Sequence, residues 1–195
     1  MQTKWIETEN KTIRSYIINA EAIFKGSEPS LMTIEEINGL VEKANTKYLD
    51  LEFVPGEISI IGNEDRTLMD STVTQWRRPD KFLKSPFELV TRIHPNNLQS
   101  GKLDNEAFFS VLKALATRPP LIERLFLSPM QINPNGVYRL RICKNGEWQS
   151  VTIDDSIPCE PISHPKFTRS IENDLWPMLI EKAYAKLHRS YFSLR

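Results

Sequence analysis

Apolar positions recur along this chain in two different periods, and the changes of period mark its elements. From residue 11 to 25, Ile13, Ile17 and Ala20 or Phe24 return at helical spacing, which predicts a short helix. Gly26 to Ser30 break it. Thr33 followed by Glu36 has the form of a capping box, and Ile37, Leu40, Val41 and Ala44 carry an apolar series on from it. Val54 to Pro79 holds no sustained period. It reads as an irregular arm around the core, with short strands such as Ile58 to Ile61. Pro86 and Pro95 keep the next stretch from forming one long helix.

A central helix is predicted from Asp104, a good N-cap. Leu103, Ala107, Phe108, Val111, Leu112 and Leu115 would cover about half of its cylinder, so it reads as a core helix. Arg118-Pro119-Pro120 ends it, because a residue before proline avoids the helical region. Leu121 to Leu127 add a helical turn or two. The period then drops to two. Val137 to Cys143 and Trp148 to Asp154 read as strands joined by a type I′ turn at Asn145-Gly146. Tyr138, Leu140 and Ile142 share one face and Arg139 and Arg141 the other, which predicts a wet face. A last helix starts near Trp176-Pro177. Trp176, Ile180, Ala183 and Leu187 form its apolar stripe, with Glu181, Lys182 and Lys186 off it.

Composition narrows the classes. A chain of 195 residues is long enough for one domain with a real core. Its 25 basic and 25 acidic residues balance, so nothing draws it as a whole to nucleic acid or to a membrane surface. Lys4, Lys11 and Arg14 make no nucleic-acid stripe, and Arg77-Arg78 is only a dipeptide. Two cysteines, Cys143 and Cys159, are too few for a disulfide framework and suit a reducing compartment. No apolar run reaches the length of a membrane span, and residues 1–10 lack a signal-peptide core. A soluble, cytoplasmic protein is expected.

Six collinear stretches carry a family resemblance. Gln99-Ser100-Gly101-Lys102-Leu103-Asp104-Asn105-Glu106-Ala107-Phe108-Phe109 resembles the calpain pattern Gln-Gly-x-Leu-Gly-Asp-Cys-Trp-Phe-Leu. Gly101, Leu103 and Phe108 fit it directly, and Gln99 fits with a shift of one residue. Asp50-Leu51-Glu52-Phe53 resembles Asp-Pro-x-Phe, and Gln75-Trp76-Arg77-Arg78-Pro79 resembles Trp-x-Arg-Pro. Gly146-Glu147-Trp148 and Val151 to Pro158 resemble Gly-x-Trp and Val-x-Val-Asp-Asp-x-Leu-Pro. Leu175 to Leu187 resembles Phe-Trp-x-x-Leu-Leu-Glu-Lys-Ala-Tyr-Ala-Lys-Leu. Its Leu-Trp-Pro-Met-Leu wording is also similar to the calpain-like part of androglobin, a degenerate relative. The resemblance implies an α/β fold of the α+β type, the first subdomain of a papain-like, calpain-type protease core. A central buried helix would be surrounded by further helices and a small antiparallel sheet. Residues 34–195 would form that subdomain and residues 1–33 a helical extension.

The resemblance places Glu106 where the family carries its nucleophilic cysteine. A helix N-terminus favours a thiolate there, and a histidine oriented by asparagine takes the thiol proton. Glu106 keeps the charge but lacks a thiolate's reactivity toward an amide. Ser100 stands at the place of the oxyanion glutamine, with Gln99 adjacent, so a slip of one residue would restore that role. Gln99, Ser100, Gly101 and Glu106 are therefore the degenerate active-site positions. The family's histidine and asparagine belong to a second half expected beyond Leu194-Arg195. His94, His164 and His188 read better as loop or capping residues than as substitutes. Cys143 and Cys159 read as ordinary thiols.

The family's calcium site in this half uses backbone carbonyls and two acids. Asp174 matches the later acid, Asn97 replaces the earlier one, and Arg92 stands where a glycine would lend its carbonyl. Calcium binding is expected to be lost or weak, with no other cofactor or metal. Asp154-Asp155 reads as a strand-ending structural pair, and Trp76, Trp148 and Trp176 as core anchors. The expected function is a protease-dead module that binds protein partners. Androglobin similarity points it toward a ciliary, axonemal or cytoskeletal complex, without nucleic acid or membrane. The alternative is a calcium-dependent cysteine endopeptidase whose second half is supplied elsewhere. A dead site that still holds an extended peptide is a third reading.

Overall fold

The structure is a computed structural model describing residues 2–63, 74–161 and 164–195, with backbone alone over 2–11. Among the described residues, six α-helices carry most of the order. They are α1 (Gln2–Ile23), α2 (Ile34–Lys43), α3 (Glu57–Ile61), α4 (Glu106–Ala116), α5 (Pro119–Glu123) and α6 (Trp176–Leu187). The strands are β1 (Gln75–Arg77), β2 (Leu98–Gln99), β3 (Val137–Lys144), β4 (Glu147–Asp154), β5 (Ile157–Cys159) and β6 (Arg169–Ser170). They pair antiparallel as β1–β5, β2–β6 and β3–β4. The described strands thus form three small sheets, where the sequence suggested one.

The β3–β4 hairpin is the floor of the main core. Asn145 and Gly146 take the positive φ values, 54° and 82°, that the type I′ turn requires. Register pairs Tyr138 with Ile153 and Leu140 with Val151, which sets those four on one face. Helix α6 lays Trp176, Leu179, Ile180 and Ala183 on that face, and α4 and α5 add Leu112, Ala116 and Ile122. A second cluster gathers Phe53, Ile60, Ile61, Leu103, Phe167 and Tyr191 around Ala185 of α6. A third joins Phe24, Ile37, Val41, Tyr48 and Val137.

Several expectations change here. The α1 helix begins well before residue 11 and ends at Ile23. Ile58 to Ile61 is a helical turn rather than a strand, with Ile60 and Ile61 buried. Residues 64–73 of the expected arm lie outside the described residues. The second face of β3–β4 is only half wet. Arg139 Nε bonds Thr152 Oγ1 at 2.8 Å, and its NH2 group reaches the carbonyls of Pro29 and Met32. Helix α2 covers that half, with Thr33 and Glu36 closing the capping box. At the open half, Trp148 is 58 % exposed and carries the Arg141 guanidinium on its ring at 4.4 Å, so it is no core anchor. Trp176 is fully buried and Trp76 packs on the second cluster.

Helix α4 is less buried than its apolar pattern implied. Leu112 and Ala116 face the core, while Val111 is 59 % exposed. Helix α6 departs the other way: Glu181 and Lys182 are buried together with its apolar stripe. The partners that make this possible lie far off in sequence, so local periodicity could not register them.

Candidate active site

The chain enters the site through β2. Gln99 pairs with Arg169 of β6, and Arg169 Nε donates to Gln99 Oε1 at 3.1 Å. Gln99 and Ser100 are both exposed. At Gly101 a Cβ would lie 2.3 Å from Phe167 Cα and its carbonyl oxygen, so only glycine allows this approach. Lys102 N then donates to Lys166 O at 2.9 Å. The Gln99–Gly101 loop is thereby clamped against residues 165–169.

Helix α4 starts one residue later than Asp104 suggested. Asn105 is the N-cap residue, and its side chain makes no capping bond. It turns inward, 3 % exposed, and donates from Nδ2 to Glu181 Oε1 at 3.0 Å. Glu106, the first helical residue, points outward and is exposed. Its carboxylate has no hydrogen-bond or ion-pair partner among the described residues. The position the resemblance gives to a nucleophile is thus open to solvent at a helix N-terminus, where the helix dipole favours an anion.

Under this turn lies a polar cluster that sequence reading missed. Glu181 is 2 % exposed and accepts from Asn105 Nδ2, Thr168 N (2.9 Å) and Thr168 Oγ1 (2.5 Å). Burial pushes its carboxyl up to about 7, against the pull of these donors. A Glu-Lys pair set between Ile180 and Ala183 was the one available signal: two charges inside an apolar block.

A second polar cluster holds the frame behind the site. Lys182 Nζ, fully buried, donates to Asp154 Oδ1 and Ser156 O, both at 2.7 Å. Asp154 Oδ2 accepts from Asp50 N at 2.9 Å. Burial raises the Asp154 carboxyl, but Lys182 and Arg78 outweigh it and hold it at about 2. Arg78 pairs with Asp155 and donates to Tyr48 O, so the arginine dipeptide is built into the frame. Lys186 Nζ bridges Asp50 and Glu52 at 2.9 and 2.8 Å. Asp154 and Asp155 are therefore structural, as their place at a strand end suggested.

The candidate bases and thiols sit in other elements than α4. His94 Nδ1 accepts from Asn96 N at 3.2 Å. His188 ends α6, its ring 4.4 Å from Tyr184, and burial lowers its pKa. His164 is exposed in the loop after β5. Cys143 is exposed on β3, and Cys159 is buried on β5, where desolvation pushes its thiol up to about 12.

Asp174 is wholly buried, accepts from Thr91 N at 3.3 Å on Oδ2, and leaves Oδ1 unpaired. Asn97 turns its amide N–H toward Arg92 O at 3.4 Å, so a donor faces the carbonyl a cation would need. One carboxylate beside such a donor makes a poor cage for a cation that takes six to eight oxygens. Among the described residues no three acidic, histidine or cysteine side chains gather around one point. No helix there is long and apolar enough to cross a membrane.

Comparison with known proteins agrees with this layout. The calpain family cysteine protease profile matches residues 48–195. Calpain-type cysteine protease DEK1 of Arabidopsis thaliana is 30 % identical, over 93 % of this chain and 9 % of its own length. Calpain-type cysteine protease ADL1 of Oryza sativa subsp. japonica is 32 % identical, over 86 % of this chain and 9 % of its own. Human calpain-12 is 32 % identical over 62 % of this chain and 17 % of its own. The chain thus spans under a fifth of the length of each of these relatives.

Proposed function

The chain belongs to the calpain family of cysteine proteases, and we propose that its own nucleophile position is catalytically dead and that it acts as a protein-binding module. The observation carrying this reading is the order of two adjacent residues. Asn105 is locked inward on Glu181, so Glu106 takes the outward first position of α4. A carboxylate there cannot do a thiolate's work. It attacks an unactivated amide poorly and would yield a high-energy anhydride, and loss of the nucleophile removes most of a protease's rate enhancement. The retained frame of Arg78, Asp154 and Lys182 keeps the fold without that chemistry. Calcium plays no part in this reading, since Asn97 and Arg92 weaken the one acid left. The exposed Gln99, Ser100 and Glu106 face any peptide laid along the site. A ciliary or cytoskeletal setting rests on the androglobin resemblance alone.

The alternative is a calcium-dependent cysteine endopeptidase completed by residues supplied elsewhere. The relatives' names as cysteine proteases and their greater length favour it. A thiol-directed epoxide probe, applied with and without calcium and followed by peptide mapping, separates the two. The binding-module reading expects no calcium-dependent adduct on this segment. A calcium-dependent adduct on Cys143 or Cys159 would overturn it.

A further inference from the structure

Glu181 is a buried carboxyl with three neutral donors and no cation. From α6, the adjacent Lys182 points away to Asp154 and Ser156. From the 166–169 segment, Lys166 Nζ donates to Thr74 Oγ1 at 2.8 Å and Arg169 is turned to Gln99. Tyr191, buried in the second core cluster, is pushed well above its usual range by burial and by Glu181. On the α4 side, Asp104 and Glu106 are both exposed. Nothing in this shell supplies the positive charge that ordinarily holds a buried carboxylate ionised.

The geometry points to Glu181 as a proton-operated latch that, ionised, ties the start of α4 tightly to the 166–168 segment and, protonated, loosens that tie. The asymmetry of its donors dictates which bond weakens. A proton on Oε2 would face the Thr168 backbone N–H, itself a fixed donor. The proton therefore goes to Oε1, where the Thr168 hydroxyl can turn and accept it at 2.5 Å. The Asn105 amide cannot turn acceptor without swinging its own carbonyl in. Its bond now falls on a neutral hydroxyl oxygen, a poorer acceptor than a carboxylate, so it is the one that weakens. Thr168 N–H keeps its acceptor in either state.

The latch spans the two sides of the candidate site. Residues 166–168 back onto Gly101 through Phe167 and onto Lys102 through the Lys166 carbonyl. Asn105 O receives Phe109 N–H at 3.0 Å, closing the first turn of α4 behind Glu106. Protonation thus loosens the Glu106 turn, with Glu181 itself still buried, while the Gln99–Gly101 loop stays clamped. Burial holds the Glu181 carboxyl near 7, so the change falls close to neutral pH. The inference does not depend on whether the site is dead or active.

Amide hydrogen exchange on the wild-type chain from pH 5.5 to 8.5, corrected for intrinsic chemistry, tests it. Protection at Phe109 should fall by up to about tenfold as pH drops through 7, the difference between a charged and a neutral acceptor, while Thr168 protection stays level. Asn105→Ala should remove the pH step at Phe109. The 13Cδ shift of Glu181 in the wild-type protein gives a readout that needs no variant. A carboxyl midpoint below 5.5, equal pH steps at Phe109 and Thr168, or an unchanged step in Asn105→Ala would each overturn the proposal.

Discussion

Asn105 Nδ2 donates to Glu181 Oε1 across 3.0 Å of protein interior, joining residues 76 positions apart. This bond fixes which residue of the turn faces outward. Asn105→Ala should cost about 1.5–3 kcal/mol at pH 8, the range for a hydrogen bond to a charged group. Urea unfolding measures it. Asn105→Asp sets a second carboxyl against the first, so it should cost more than alanine at pH 8 and approach it at pH 5.

The frame behind the site makes a sharper demand. Lys182 and Asp154 are both completely buried and 2.7 Å apart. Lys182→Met or Asp154→Asn alone should each destabilise by about 3–5 kcal/mol, because each leaves a charge buried without its partner. The double variant should regain part of that loss, which a double-mutant cycle reads directly. The Asp154 carboxyl sits at about 2, below its unfolded value. Its contribution is complete above about pH 4 and is lost as pH falls toward 2.

Glu181 carries the opposite sign. Its folded pKa is raised from 4.5 to about 7, so the folded chain holds a proton that the unfolded chain has already released. Stability should fall as pH rises from 4.5 to 7 and level off above, by up to roughly 3 kcal/mol. Glu181→Gln removes this titration. The difference between wild type and variant across pH 4 to 8 isolates it from Asp154 and His188.

Gly101 admits no side chain. Gly101→Ala drives a methyl group into the Phe167 backbone, and relief requires the Gln99–Gly101 loop to leave residues 166–168. A loss of about 1–3 kcal/mol or more is expected. It should come with exchange of the Lys102 amide, which bonds Lys166 O. Gly39, with open space at its Cβ, is the control: Gly39→Ala should not destabilise.

Much of this architecture was legible because local rules set it. Asn145-Gly146 turned the hairpin, Thr33 and Glu36 capped α2, and Pro119-Pro120 separated α4 from α5. Errors fell where a distant partner decides. Glu181 and Lys182 looked solvent-facing because their partners lie in other parts of the chain: Asn105 and Thr168 donate to Glu181, and Asp154 accepts from Lys182. Asp104 looked like the helix cap, but tertiary contact made Asn105 the boundary. Arg139 looked wet until the carbonyls of Pro29 and Met32, in the loop before α2, met it. Family resemblance pointed to Glu106, and the inward turn of Asn105 is what makes that placement physical.

The most direct test of a dead nucleophile position is peptide-bond hydrolysis by the full-length native polypeptide, with calcium titrated from none to millimolar. Wild type and Glu106→Ala are compared on one fluorogenic peptide series. The account predicts no turnover above the uncatalysed rate from either protein at any calcium level. Calcium-dependent turnover by the wild type that disappears in Glu106→Ala would contradict it.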